Sequence, residues 1–457
     1  MWRCMTRWRH QWAWPAILFG ALLSPAAAAA QTPLSLRDAI ARGLAHNEQY
    51  QIALAGVERA QGQIVTARAG VFPTIGMSGS YSRALKRPEI VISGLDSAGN
   101  SMEQRFQVGS KHTTIGGIAA QQTLFEGGGV LAAWKAAQSY RAMQLNLVAM
   151  ARHTLESDVA ESFFGTLLAQ ALADVASQTV RQAEAHYEVV DQKYKAGLVS
   201  EYDHLRAHVS VANARPQLIQ ADNDLRLAMM QLKNLIGLDA DSSVALAESE
   251  PDSSAWESWE LDALVQQAEG ARPDLAATQD EIRSWTQGIN VYKAQRWPQL
   301  TLDGSFGWQW ATDERYGLRD KDMSRSWTVG LNLSYSLFDG FRRHGMIQTA
   351  QVDLKEAQLR RAELLRSVAL QVESARSRFQ EASERLEAQR EAVAEAERGL
   401  AIANRRYESG VGTQLEVLDA QVALSTAQVF AETARHDRRV ARVQWRRAMG
   451  ESIVVLP

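Results

Sequence analysis

The sequence is almost without cysteine. Its one thiol, Cys4, stands at the extreme N-terminal end of 457 residues. The rest of the chain therefore forms no internal disulfide and offers no thiolate to a metal or a substrate. Proline is scarce too. There are ten, and two very long runs, Val130 to Lys195 and Phe341 to Ser409, contain none. There is no surplus of positive charge: the formal net charge is −3, and no basic stripe interleaved with aromatics marks a nucleic-acid-binding face. HExxH, GxSxG and a clustered Ser/His/Asp set are all missing, and Gly127-Gly128-Gly129 lacks the Lys-Ser/Thr that would make it a phosphate loop. No enzyme and no cofactor are expected. Beyond residue 30 no run of eighteen apolar residues remains, so entry into a membrane would have to be made with strands.

What is present begins with an address. Arg3, Arg7 and Arg9 precede a short apolar segment, Trp12 to Leu23, and Ala28-Ala29-Ala30 offers a small-residue cleavage site. Residues 1–30 read as a secretory signal peptide. Cys4 precedes the apolar segment, so it is not placed as a lipoprotein cysteine. The leader carries three arginines and no acid, and its removal leaves the chain more acidic.

The chain is written twice. Leu124-Phe125-Glu126-Gly127-Gly128 returns as Leu337-Phe338-Asp339-Gly340-Phe341. At the same offset Tyr194, Gly197 and Leu205 return as Tyr407, Gly410 and Leu418, and Ala207, Ala214, Ala221 and Ala228 return as Ala420, Ala427, Ala434 and Ala441. Further upstream, Arg68 to Pro73 matches Lys293 to Pro298. Each copy reads as a helix stopped by an X-Pro pair, two strands, a glycine corner carrying an acid near the next helix N-terminus, a very long helix, a glycine turn and a helix. The first repeat is placed at 31–237, with strands 74–84 and 112–124, long helix 130–195 and helix 200–236. A linker follows at 238–258. The second repeat spans 259–451, with strands 299–311 and 326–338, long helix 341–409 and helix 413–449, and 452–457 form a tail. The first copy holds about twelve extra residues between its strands, including Pro88, Gly94 and Gly99, which read as a longer hairpin loop.

The strands alternate. Leu300, Leu302, Phe306, Trp308 and Trp310 share one face, with Thr301, Asp303, Ser305 and Gln309 on the other. Trp327, Val329, Leu331, Leu333, Tyr335 and Leu337 alternate with Thr328, Gly330, Asn332, Ser334 and Ser336. Ile75, Met77 and Tyr81 alternate likewise, and 112–124 is less regular. Segments of about ten residues with aromatic ends fit an outer-membrane barrel. A half-buried soluble sheet gives the same alternation, which leaves a soluble periplasmic coiled-coil scaffold or adaptor as the rival reading. Four strands cannot close a barrel, so a barrel would be shared between chains.

The proline-free runs are on the order of 100 Å long as helices. The alanines at seven-residue spacing permit close helix approach. Pro216 interrupts one copy only and should bend or loosen its helix. His204 and His208 stand at i, i+4 beside Asp203, a spacing that suits a metal pair, but without a third clustered histidine or a cysteine they read as ordinary helix residues.

Leader, duplicated plan, the turns Tyr194–Gly197 and Tyr407–Gly410, and the segments Gly197–Leu205 and Val411–Ala420 together resemble the TolC family of outer-membrane efflux and secretion ducts, over residues 34–451. The resemblance implies a mainly α fold with β: long-helix coiled-coil hairpins, with four strands per chain in a twelve-stranded barrel of a homotrimer in the outer membrane, and a helical barrel reaching through the periplasm. It implies passive export, with a periplasmic adaptor and an inner-membrane pump or ABC transporter as partners, as in tripartite efflux or type I secretion. It places the aperture acids on Asp203, Glu416 and Asp419, and a gate network on Tyr407. Adaptor-contacting turns fall on Gly197, Leu198, Gly410 and Val411, and strand–helix corners on Phe125, Gly127, Phe338 and Gly340. The best-known member has an arginine where this chain has Gly412, so the latch is assigned to Arg405 or Arg406. For Asp203 and Glu416, just after Ser200 and Thr413, a helix cap competes equally with an aperture role. Asp419 lies deeper than a cap.

Overall fold

The computed structural model describes residues 33–95, 101–247, 260–313 and 323–453. The leader, most of the linker and the end of the tail lie outside the described residues. In chain order the elements are α1 (Leu36–His46), α2 (Glu48–Ala69), β1 (Thr74–Arg83), β2 (Glu89–Leu95), β3 (Ser101–Gln107), β4 (His112–Glu126), α3 (Gly129–Lys195) and α4 (Glu201–Leu235). The second half adds α5 (Leu261–Ala271), α6 (Pro273–Ala294), β5 (Gln299–Thr312), β6 (Met323–Ser334), α7 (Arg342–Glu408) and α8 (Gln414–Met449).

Three details differ from the sequence expectation. The first repeat opens with two helices, because the Asn47 side chain accepts the Gln49 and Tyr50 backbone N–H groups and starts a new helix there. The expected long loop after β1 folds as a hairpin of its own: Ile90, Val91 and Ile92 pair with Phe106, Arg105 and Gln104, as a β-branched run favours. β6 stops at Ser334, short of 338. α4 runs through Pro216 to Leu235, the span expected of it.

The main sheet has the order β1–β4–β5–β6, antiparallel throughout. β4 and β5, from different repeats, form its centre, and β1 and β6 are its two edges. Register sorts the side chains by face. Met77, Ile118, Phe306 and Trp327 form one rank across the four strands, and Ile75, Ala120, Gly304 and Val329 form the next. The irregular strand is thereby settled, with Ile118 and Ala120 on the apolar face. The opposite face carries Ser80, Thr113, Ser305 and Thr328, and the Ser305 and Thr328 hydroxyls share a hydrogen bond of 2.6 Å.

The helices bury two matched cores. Leu36, Ala39 and Ile40 of α1 pack with Leu155, Val159, Phe163 and Phe164 of α3 and Leu232 of α4. Leu264 and Ala268 of α5 pack with Val368 and Val372 of α7 and Trp445 and Met449 of α8. The offset of the repeat carries Leu155, Val159 and Leu232 onto Val368, Val372 and Trp445. α3 meets the length and composition of a membrane span, but its Val159, Phe163 and Phe164 are buried among these helices. Glu156, fully buried, accepts from Arg152 Nε, Ser452 Oγ and the Ile453 N–H, which ties the chain's last described residues to α3.

Candidate functional site: an oily sheet face and a polar tip

The apolar face of the sheet is not covered by the chain's own helices. Trp327, Val329, Leu331 and Leu333 are 67–81% exposed, and Met77 and Ile75 exceed 70%. Burying such a rank in a hydrophobic medium is worth roughly 1.5–3 kcal/mol per large side chain, so leaving it in water would be costly. The ten steps from Leu300 to Trp310 cover roughly 33 Å along the strand. At a tilt of about 40° that gives about 25 Å of height, the thickness of an outer-membrane apolar band. Aromatics mark both ends: Tyr81, Trp308 and Trp310 on one side, and Phe72, Phe125, Trp297, Phe338 and Phe341 on the helix side. The Trp308 indole lies across Gly116, where a Cβ would collide with it, so glycine and tryptophan form one packed unit.

The corners hold sheet and helices in fixed relation. Gly127 has φ +54°, and a Cβ there would lie 2.5 Å from the Ala294 carbonyl oxygen and 2.8 Å from Trp297 Cβ. Only glycine permits both the turn and the contact. In the second corner Asp339 accepts the Arg343 backbone N–H at 3.1 Å and its Nε at 2.7 Å. The same guanidinium donates to the carbonyls of Gln295 and Ser336. That acid caps α7, as the sequence placed it.

At the far end of the helices two turns close side by side. Gly197 and Gly410 adopt φ +72° and +76°, which lets the Leu198 and Val411 N–H groups donate back to Lys193 and Arg406 carbonyls. Leu198 and Val411 are 74% and 72% exposed at the apex. Ser200 caps α4 and Thr413 caps α8: the Asp203 and Glu416 N–H groups donate to the cap hydroxyls at 3.2 and 3.3 Å. The cap reading holds for both acids, whose carboxylates turn back to accept from the same hydroxyls, Asp203 Oδ2 from Ser200 at 2.7 Å and Glu416 Oε1 from Thr413 at 3.4 Å. Glu416 also accepts from Arg406 Nε at 3.2 Å, whereas Arg405 Nε donates to Ala401 of its own helix. Asp419 is exposed one turn beyond Glu416 on the same face. Gly412 is a packing glycine: a Cβ there would lie 2.8 Å from Arg406 Cβ and 3.0 Å from the Tyr407 nitrogen, so an arginine at 412 would require a different turn.

Tyr407 is buried beneath this turn. Lys193 Nζ sits 3.9 Å from its ring centroid and donates to its carbonyl at 3.0 Å, and His186 packs on it at 5.4 Å. Burial, reinforced by the Lys193 ammonium, holds the His186 pKa below its ordinary value. Burial, with Asp203 nearby, raises that of Tyr407. Gln414 Nε2 donates to the Asp203 carbonyl at 3.0 Å and joins the two turns. His186, Lys193 and Gln414 were not singled out in the sequence. They belong to the site only through contacts between the two repeats, which local spacing does not reveal. His204 accepts its place from Asp191, 3.0 Å away, and from the Tyr194 ring at 4.7 Å. Among the described residues no group of three acid, histidine or cysteine ligands gathers.

A four-stranded sheet with an oily outer face, set on helices of about 100 Å, defines a subunit of an outer-membrane channel that reaches through the periplasm. The chain belongs to the outer membrane efflux protein family, whose model matches residues 39–238 and 264–451. Protein CyaE of Bordetella pertussis is 27% identical over 394 residues, covering 85% of this chain and 78% of that protein. The pyoverdine export outer membrane protein OpmQ of Pseudomonas aeruginosa is 25% identical, covering 90% and 83%. Among solved structures, the outer membrane protein VceC of Vibrio cholerae shares the fold with a TM-score of 0.74 at 20% identity, covering 92% of this chain and 97% of that one. The fold is thus that of the trimeric channels of this class, a twelve-stranded β-barrel continued by a helical barrel. The protein is an outer-membrane channel of the export type, located in that membrane and extending into the periplasm. The soluble-scaffold reading fails on the exposed sheet face and on family membership.

Proposed function

We propose that three copies of this chain form a passive exit duct, docked through its periplasmic tip to an adaptor and driven by an inner-membrane pump or ABC transporter. The observation that carries the reading is the pairing of an uncovered apolar sheet face with a tip whose apex residues, Leu198 and Val411, are exposed and apolar. In such a duct energy and cargo choice reside with the pump, and the chain supplies a wall and an aperture. Glu416 and Asp419, three residues apart on one helix face, would form stacked acidic rings around the axis. Rings of like charge favour cations and hold divalent ions in the bore. Arg406 partly neutralises the outer ring in each copy. That pair is about half exposed on both sides and therefore weak, on the order of 0–1 kcal/mol, which suits a latch that must open.

Recording from the protein in planar bilayers tests the ring. Divalent cations should block the wild type from the tip side. Glu416→Ala with Asp419→Ala should weaken block at least tenfold, and Arg406→Ala should strengthen it. Block unchanged in the double variant would remove these acids from the bore. For the docking face, Leu198→Asp with Val411→Asp should abolish co-purification with the adaptor while the trimer remains intact.

A further inference from the structure

The two strand–helix corners are copies of one another, yet only the second supplies a cation to its own acid. There Arg343 Nε donates to the Asp339 carboxylate at 2.7 Å, and the same guanidinium donates to the Gln295 and Ser336 carbonyls. The repeat carries Asp339 onto Glu126, Ser336 onto Thr123, Gln295 onto Gly70 and Arg343 onto Val130. The first corner therefore keeps the acid and lacks the guanidinium. Val130 rests on Gly70 instead, where a Cβ would lie 3.2 Å from its methyl groups. The Thr123 carbonyl is served by Gln122 Nε2 at 2.9 Å. The Glu126 carboxylate has no hydrogen-bond or ion-pair partner among the described residues.

Beside Val130 lies a cavity of about 510 Å³, within the ~300–1,000 Å³ of small-molecule pockets. Phe72, Leu124, Phe125, Leu131 and Trp134 give it an apolar wall, and its charged lining residues are Glu126 and Arg68. The Arg68 guanidinium stands 5.6 Å from the centroid of the Phe72 ring, a contact that fixes a cation without neutralising it. Arg68 makes no ion pair among the described residues, with Glu126 or with any other acid. The cavity sits at the helix-side end of the oily face. Gln122, opposite Leu302 on that face, donates to the Val71 carbonyl at 3.0 Å, and Phe125 stands opposite Leu300. That is the level of the aromatic belt, where lipid headgroups of the periplasmic leaflet meet the protein.

We propose that this cavity binds a zwitterionic phospholipid of the periplasmic leaflet whose headgroup ends in a primary ammonium. The phosphate pairs with Arg68, the ammonium takes the place on Glu126 that Arg343 takes on Asp339, and the acyl chains lie over Phe72, Phe125 and Leu131. An arginine alone would suit any phosphate, since its planar fork matches phosphate oxygens. The unpaired acid beside it makes the site selective. An anionic headgroup leaves Glu126 without a cation, and a quaternary ammonium has no N–H to donate to it. The site needs the sheet to lie in the membrane, but neither an adaptor nor a pump.

The test is native mass spectrometry of the full-length protein, extracted from outer membranes in mild detergent, stripped of lipid and titrated with single phospholipids. Phosphatidylethanolamine should saturate at one molecule per chain. It should bind about tenfold more tightly than phosphatidylglycerol, which has no ammonium, or phosphatidylcholine, whose ammonium carries no N–H. Arg68→Ala should weaken phosphatidylethanolamine and phosphatidylglycerol alike. Glu126→Gln should bring phosphatidylethanolamine down to the level of phosphatidylglycerol. Val130→Arg restores the guanidinium of the second corner, should pair with Glu126, and should abolish the saturable binding. An unheated gel shows whether each variant keeps its trimer, and where Arg68→Ala loses it, Val130→Arg carries the test. Equal affinity of the wild type for the three lipids, or a preference that survives Glu126→Gln or Val130→Arg, overturns the site. An intact trimer with no saturable binding overturns it as well, the result expected if a neighbouring copy's Phe341 fills the cavity.

Discussion

Tyr407 keeps a hydroxyl without a hydrogen-bond partner among the described residues, as do His186 Nε2 and Gln414 Oε1 beside it. A buried polar group in that condition stabilises nothing and costs about 1–3 kcal/mol. Tyr407→Phe should therefore leave the tip as stable or up to about 1 kcal/mol more so, whereas Tyr407→Ala, which empties a buried aromatic site, should cost about 3–5 kcal/mol. Hydrogen exchange across Tyr187–Ser200 and Ala403–Val417 measures both. His186 adds a pH dependence with a definite sign. Its folded pKa lies below the unfolded value of 6.5 because burial and then Lys193 disfavour the imidazolium. The stability it contributes is present above that value and lost as pH falls. Between about pH 7.5 and 5.5 the tip should loosen, by the same exchange measurement, and His186→Phe should flatten that change. An equal loss in the variant would assign the effect to other groups.

At the scale of elements, periodicity was the informative signal. The LF(E/D)G corners, the X-Pro stops before Thr74 and Gln299, and the glycine turns at Gly197 and Gly410 were all legible, because each is a local backbone requirement written in one or two residues. The oily strand faces were legible for β5 and β6, where large aromatics alternate. They were obscure in β4, where glycines and alanines fill the apolar rank and only the partner strand reveals it. Pro216 lies at an exposed turn of α4, which runs on through it. Pro216→Ala should restore a ladder hydrogen bond and raise stability by up to about 3 kcal/mol, read in a denaturant melt. The sheet face supports a paired prediction. Leu331→Arg, in the middle of the apolar rank, should cost roughly 2–4 kcal/mol and deplete the assembled protein. Asn332→Arg, one residue on and facing the lumen, should assemble normally. Equal damage from both would mean that neither face meets lipid.

The whole molecule is a duplicated unit with closed cores among its helices and an unfinished sheet. Its cores, around Phe163 and Trp445, close within one chain, and its sheet ends on two open edges. Backbone groups on open edges are not tolerated in lipid, and four strands are too few to curl on themselves. Copies of the same edges, related by symmetry, satisfy both conditions at once. The tip follows the same logic, since acids spread over separate subunits become a ring only in the assembly. The sequence could not reveal that the tip is bound together across the repeats by Lys193 and Gln414, because each contact spans more than two hundred residues. The most direct test is the mass of the particle extracted from outer membranes in mild detergent and measured by native mass spectrometry. The account predicts three chains in one particle from the membrane fraction, falling to one chain on heating. A single chain recovered from the soluble periplasm, with the strand faces of Trp327 and Leu331 in water, would contradict it.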